Sequence, residues 1–345
     1  MPIDCGWRGA GRKLPVTHVL IRGDGVAGRC CAHLLSRAGL AVAGEPAGRA
    51  RLPAILLGEA SQRLIGDVFG LHDGFDHLPR IRQRIVAWGP KTEPAVMEHS
   101  AVVISEEALL DRLGAIPVLD DSGPALWTIY AAKPLPMVAS ERCFGTRIAA
   151  AMPVELERSA EPEACWMESH DSGWLFLITA APRSGWLLAA GGSPEELLRH
   201  SRVVSARIAA ASSPSAKFPA SPRMAAPIAG DGWLAGGTAA IAFDPICGDG
   251  TAHAVREAIL ASAVIKAAAR GGDAARLSAH YGNRLTAAFL RHLMHCVEYY
   301  AAVPGDWWQK EAAATKEGIE WCSGRLGGDP KFHYRLNGLE LEALD

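Results

Sequence analysis

His253 and Asp249 are the side chains best placed to move a proton, because they stand around a glycine-rich turn that opens a helical pattern. The run from Gly236 to Ala258 reads as a short strand, a tight Pro/Gly turn, and a helix whose first turn is glycine-rich. Backbone N–H groups free at such a helix start can face an oxyanion or an electron-rich ring. Glycines at 248 and 250 let the chain approach a flat ligand with no Cβ in the way. A histidine titrating near neutrality suits a general acid, and packing inside the helix explains it equally well. Asp249 could hydrogen-bond a ligand or cap the helix. Cys247, in the same turn, fits either a redox or substrate-contact role or the plain filling of a tight turn.

A second glycine-rich turn lies far upstream. The mostly apolar run Val16–Arg22 leads into Gly23-Asp24-Gly25-Val26-Ala27-Gly28, and a helical pattern follows with Ala32 and Leu35 on one face. Strand, Gly-x-Gly-x-x-Gly and helix together are the context of a dinucleotide fingerprint. Gly23 permits the turn, Gly25 admits a diphosphate, and Gly28, beside Ala27, lets helix and strand pack closely. Glu45, after Leu40-Ala41-Val42, is the candidate for the ribose hydroxyls.

Together the two turns resemble the FAD-dependent monooxygenases, including the flavin-dependent halogenases. The resemblance implies that the first turn holds the ADP half of FAD. It also implies that Pro245, Gly248, Gly250 and Thr251 serve the ribityl chain and the isoalloxazine. Three family features are altered. Thr238 (Gly237 in a shifted register) stands where the family has Asp or Asn, and its hydroxyl can still hydrogen-bond a ribityl group. Ser105-Glu106 stands where an arginine often touches the flavin, and Met137–Ser140 replaces an Asp-Gly segment. Three short segments, Cys247–Ala254, Trp174–Leu177 and Tyr334–Leu341, look similar to flavoproteins of tryptophylquinone cofactor biogenesis. That likeness implies hydroxylation of a tryptophan side chain in a partner protein or peptide through a flavin C4a-hydroperoxide; NAD(P)H, a partner flavin reductase and free reduced flavin all stay open as the electron source. Hydroxylation or halogenation of a small aromatic stays open, with Lys91 the sole candidate for a halogenase lysine. So does a flavin-binding maturation partner with no turnover of its own.

These residues need a scaffold of separated segments. The expected fold is α/β (α+β). A Rossmann-like FAD-binding domain takes 14–125 and 225–290, an antiparallel-sheet substrate domain takes 126–224, and a C-terminal helical extension takes 291–345. Ser105–Leu113 has a serine N-cap, acids in its first turn and helical periodicity. Segments 126–131, 174–179 and 186–190 read as strands of the substrate sheet. Alternation puts Trp174, Phe176 and Ile178 on one face, which fits either plain sheet core or, with Trp307, a surface for an aromatic substrate. Ser212–Pro222 reads as a linker. His292 and His295 are three residues apart with no third ligand in view, so no metal is expected.

The chain of 345 residues can bury a substantial core. Its net charge of −2 argues against nucleic acid as the principal partner. No apolar run approaches the roughly 18 residues a membrane span needs. Met1–Pro15 lacks the apolar core of a secretory signal and reads as a frayed tail. Eight scattered cysteines without C-x-x-C spacing suit reduced thiols in a cytoplasmic protein.

Overall fold

The computed structural model describes residues 18–48, 50–90, 93–117, 125–327 and 332–344. Its helices are α1 (Val26–Arg37), α2 (Glu59–Phe69), α3 (Glu106–Leu113), α4 (Pro194–His200), α5 (Gly237–Ala240), α6 (Gly250–Ala269), α7 (Ala274–Ala301) and α8 (Asp306–Leu326). Ser105 caps α3 by accepting the Ala108 N–H at 3.1 Å, as its sequence predicts.

The first sheet runs Ala229–Gly230, Trp233–Ala235, Trp127–Tyr130, His18–Arg22, Ala41–Glu45, and all neighbours but the first pair are parallel. The central strand buries Val19 and Ile21 completely, and α1 lays Cys30, Cys31, Leu34 and Leu35 into the same core. Helix α6 packs against α1 and buries every residue from Glu257 to Lys266. A helix apolar on all sides belongs in the interior, and this one carries the late glycine turn at its N-terminus.

The second sheet has nine strands, with the hairpin Gly173–Ala181/Ser184–Gly191 near its centre. One face, carrying Trp174, Phe176 and Ile178, packs with residues of α7 and α8, including Cys296, Tyr300 and Trp308. The other, carrying Leu175 and Leu177, packs with Leu197 of α4. The alternation is therefore real, and both faces are buried.

Five sequence expectations are refined or changed. Trp127–Tyr130 joins the parallel sheet beside His18–Arg22, because aromatic and β-branched residues mark a strand and not its neighbour. The nine-stranded sheet also draws Ile55–Gly58, Arg80–Ala87 and Ala95–Ile104 from the segment assigned to the first domain. Within Ser212–Pro222, Ala216–Pro219 is a strand paired to Ile148–Ala151. The short strand read before the late turn is the two-residue Ile241–Ala242, paired with Arg223–Met224, and a short helix, Gly237–Ala240, precedes it. The C-terminal helical region, expected over 291–345, begins with α7 at Ala274 and ends in the hairpin Tyr334–Asn337/Glu340–Ala343, which Lys266 anchors through the Leu339 carbonyl at 2.6 Å.

Candidate cofactor and substrate site

The first turn has no room for side chains. Gly23 has φ +114°, and a Cβ there would lie 2.7 Å from the Ala132 Cβ and 2.8 Å from its nitrogen. A Cβ on Gly28 would lie 2.0 Å from the Gly23 carbonyl oxygen, so helix and strand touch through glycine as the fingerprint requires. Gly25 is the N-cap of α1, with no capping side chain and no acidic residue in the first turn. The positive end of that helix is thus left for an anion. Glu45 ends the neighbouring strand opposite Arg22, and the two form an ion pair at 2.9 Å, both about half exposed.

Arg51, which the sequence gives no reason to single out, reaches the fingerprint as well. It pairs with Asp24, and the Asp24 carboxyl stays below its usual range. Burial opposes that shift, and a backbone hydrogen bond and Arg51 outweigh it. Glu106 holds the neighbouring residue: Leu52 N–H donates to its carboxylate at 2.8 Å, and Glu106 N–H donates to the Leu52 carbonyl at 2.9 Å. Glu106 therefore positions the loop that carries Arg51.

The late turn is packed onto the early one. Gly237 has φ +55°, and a Cβ there would lie 2.8 Å from the Ala27 Cβ. Thr238 is exposed on α5. Pro245–Cys247 forms a 3-10 turn that Asp244 caps by accepting the Ile246 N–H at 3.0 Å, and Gly248 closes it at φ +66°. Gly250 starts α6 with open space around its Cβ position, and Thr251 follows half-buried. Asp249 does not cap the helix with its side chain. It faces Arg256 at 3.0 Å and His253 Nε2 at 3.6 Å. The His253 ring stacks on Phe243 with centroids 4.0 Å apart. Burial, helped by Arg256 and Arg291 and opposed by Asp249, holds its pKa below 6.5.

Behind this turn lies a network absent from the sequence reading. Arg147, fully buried, pairs with Asp244 at 3.0 Å and with Glu311 of α8, and donates to the Phe144 carbonyl at 3.3 Å. The Tyr300 hydroxyl donates to Asp244 at 2.9 Å, and the guanidinium lies 4.5 Å from the Tyr300 ring centroid.

The aromatic residues proposed for substrate separate by burial. Trp174 is completely buried in the packed layer between sheet and helices. Phe176 is nearly so, with the Arg84 guanidinium 6.0 Å from its ring. Trp307 is half-exposed, edge-on to Trp308 at 4.7 Å, with Tyr300 6.0 Å away. Two surface cavities, about 510 Å³ beside Ile228 and Ala279 and about 420 Å³ beside Ala189 and Lys217, are lined by none of these three.

His295 is exposed and does not join His292. Cys247 and Cys296 do, and one ligand atom from each of the three lies within 4.8 Å of the others. Lys91 and residues 1–17 lie outside the described residues.

No protein-family model matches the sequence, and a comparison with curated proteins gives no match. Solved structures do match. The myxobacterial chondrochloren halogenase CndH, an FAD-dependent halogenase, superposes with a TM-score of 0.70 at 16% identity, over 94% of this chain and 93% of that one. The chain has the fold of the FAD-dependent halogenases and hydroxylases. Peptidyl tryptophan dihydroxylase QhpG, essential for tryptophylquinone cofactor biogenesis, gives a TM-score of 0.67 at 16% identity, over 94% and 86% of the two chains. Aklavinone-11 hydroxylase, solved with FAD and aklavinone, gives 0.60 at 16% identity, over 83% and 69%. Among the described residues no helix is long and apolar enough to cross a membrane.

Proposed function

We propose that this chain is an FAD-dependent monooxygenase that hydroxylates an aromatic side chain, tryptophan, in a partner polypeptide. The observation that carries the reading is the packing of Gly237 on Ala27, which joins two glycine turns from distant parts of the chain into one cradle. The cradle fits FAD: Gly23, Gly28 and Gly237 let the backbone segments pack closely, Gly250 leaves open space at the start of α6, and two helix N-termini are left uncapped by side chains. Gly25 and the start of α1 would hold the diphosphate, Glu45 the ribose, and Thr238, Pro245, Gly248, Gly250 and Thr251 the ribityl chain and ring. When bound and reduced, FAD supplies activation of O2 and transfer of one oxygen atom to an electron-rich ring.

The chain's own contribution is binding, orientation, exclusion of water and a proton. His253 Nε2 is the atom that would hold that proton, and Asp249 orients it and favours its charged form. Trp307, the half-exposed member of the aromatic group, would contact an incoming indole. Trp174 and Phe176 shape the wall behind it. QhpG, whose substrate is peptidyl tryptophan, supports a polypeptide substrate.

Incubation with reduced FAD, O2 and tryptophan-containing peptides, read by mass spectrometry, tests this. One or two added oxygens on a peptide, and none on free tryptophan, is the expected result. Oxygenation or halogenation of free tryptophan at a comparable rate would overturn the polypeptide substrate. A protein that cannot be reconstituted with flavin would overturn the enzyme.

A further inference from the structure

Cys247 and Cys296 lie far apart in sequence and meet where the 3-10 turn touches α7. Their sulfurs are 3.8 Å apart, in contact but not bonded; a disulfide needs about 2.05 Å. The two differ in access: Cys247 is partly exposed, and Cys296 is completely buried. Cys296 Sγ is also 3.2 Å from His292 Nε2. That nitrogen accepts the Asp244 backbone N–H at 2.8 Å, so its lone pair is already engaged. Burial, with His253, Arg147 and His295, lowers the His292 pKa to about 3, so the imidazole is neutral. A metal would need the Nε2 lone pair that the backbone holds. The pair of thiols is what remains available for chemistry.

We propose that Cys247 and Cys296 form a peroxide-sensitive dithiol whose closure to a disulfide pins the turn following Asp244 to α7. The oxidant is hydrogen peroxide. Cys247, the reachable thiol, attacks one peroxide oxygen: an S–O bond forms, the O–O bond breaks, and the departing hydroxide takes up the thiol proton as water. Cys247 is then a sulfenic acid. Cys296 Sγ attacks that sulfur: the S–S bond forms, the S–O bond breaks, and hydroxyl and thiol proton leave as a second water. Two thiols lose two electrons and one peroxide becomes two waters. Gly248, at positive φ just beyond Cys247, is where the turn can yield as the sulfurs close. The closed form would tie the glycines at 248 and 250 to the helix that carries His292 and Tyr300. The chemistry needs no bound cofactor, so it stands or falls apart from the proposed activity.

The full-length protein, treated with hydrogen peroxide, alkylated and digested without reductant, gives the test by peptide mass. The expected result is a Cys247–Cys296 cross-linked peptide, two hydrogens lighter than its free parts, with both thiols shielded from alkylation until dithiothreitol is added. Cys143, exposed on a strand, is the internal control and should be alkylated or oxygenated without that cross-link. Cys247→Ser should abolish the link and leave Cys296 unoxidised. Should that variant fail to fold, differential alkylation of the unaltered protein still decides the matter. Sulfinic acid on Cys247 with Cys296 still free would overturn the proposal. A stoichiometric metal that shields both thiols before oxidation would overturn it too.

Discussion

Arg147 Nε lies 3.0 Å from Asp244 Oδ2, with both side chains completely buried. Asp244 also caps the 3-10 turn that leads to Gly248, so this one arginine fixes the position of the late glycine turn. Its other arm reaches Glu311 on α8. Burial works against the charge, and Tyr300, Asp244 and Glu311 more than offset it, so Arg147 stays a cation. Two carboxylates share one guanidinium; the Tyr300 hydroxyl and the Ile246 N–H donate to Asp244, and the Thr146 hydroxyl donates to Glu311.

Removing Arg147 leaves two carboxylates buried without a counter-ion. Arg147→Met should therefore lower stability by about 3–5 kcal/mol, the usual cost of breaking a buried pair from one side. Urea unfolding followed by circular dichroism measures it. A loss under about 1 kcal/mol would place the pair among weak surface bridges and contradict the burial argument.

Two glycine substitutions should have opposite outcomes. Gly28→Ala drives a methyl group into the Gly23 carbonyl, a backbone atom, and should prevent stable folding of the first sheet. A Cβ at Gly250 meets nothing within 4 Å, so the fold should survive Gly250→Val while flavin retention falls. Soluble yield and the flavin absorbance of the purified proteins read both. Normal flavin content in Gly250→Val would remove the late turn from the cofactor site.

The contrast between these glycines also marks what the sequence makes legible. Local patterns are readable: the strand, turn and helix around Gly23–Gly28, the Ser105 cap, and the alternation of Trp174, Phe176 and Ile178 all follow from short-range sterics or burial. Partnerships between distant segments are not. Trp127–Tyr130 has strand composition whichever sheet receives it. Arg147, Asp244 and Glu311 meet only after three segments fold together, and nothing in the spacing of Cys247 and Cys296 foretells their contact. Asp249 reads as a helix cap by position, and the neighbouring Arg256 and His253 draw it elsewhere. The complete burial of Trp174 agrees with the sheet-core alternative for its face, and alternation reports a buried face without saying what covers it.

Arg51 supplies a cation at the fingerprint, and Glu106 sets its loop in place. Arg51→Ala should weaken FAD binding roughly ten-fold or more, the scale of one charged hydrogen bond. Glu106→Gln keeps the side chain's shape and loses its charge at Leu52, so a smaller weakening in the same direction is expected. Titration of the apoproteins with FAD, followed by flavin fluorescence, gives both constants. Unchanged binding in Arg51→Ala would mean that the arginine serves only Asp24.

His253 provides the pH dependence. Its pKa in the folded protein lies below 6.5, because burial and then Arg256 and Arg291 outweigh the pull of Asp249. The imidazole is therefore neutral at pH 7. A depressed value means that the stability this residue contributes is present above about pH 6.5 and is lost as pH falls through the folded value. Catalysis should run the other way. A proton donor acts only when protonated, so peptide oxygenation should rise as pH drops below about 6.5. Asp249→Asn removes the one group favouring the charged ring and should move that rise to lower pH. His253→Gln should remove the rise and slow the reaction by about 10²-fold or more, the usual scale of general acid catalysis. Initial rates from about pH 5 to 8 with reduced FAD, alongside urea midpoints at both ends, separate the two effects. A glutamine variant with the parent's rate and profile would make His253 a packing partner of Phe243 and nothing more.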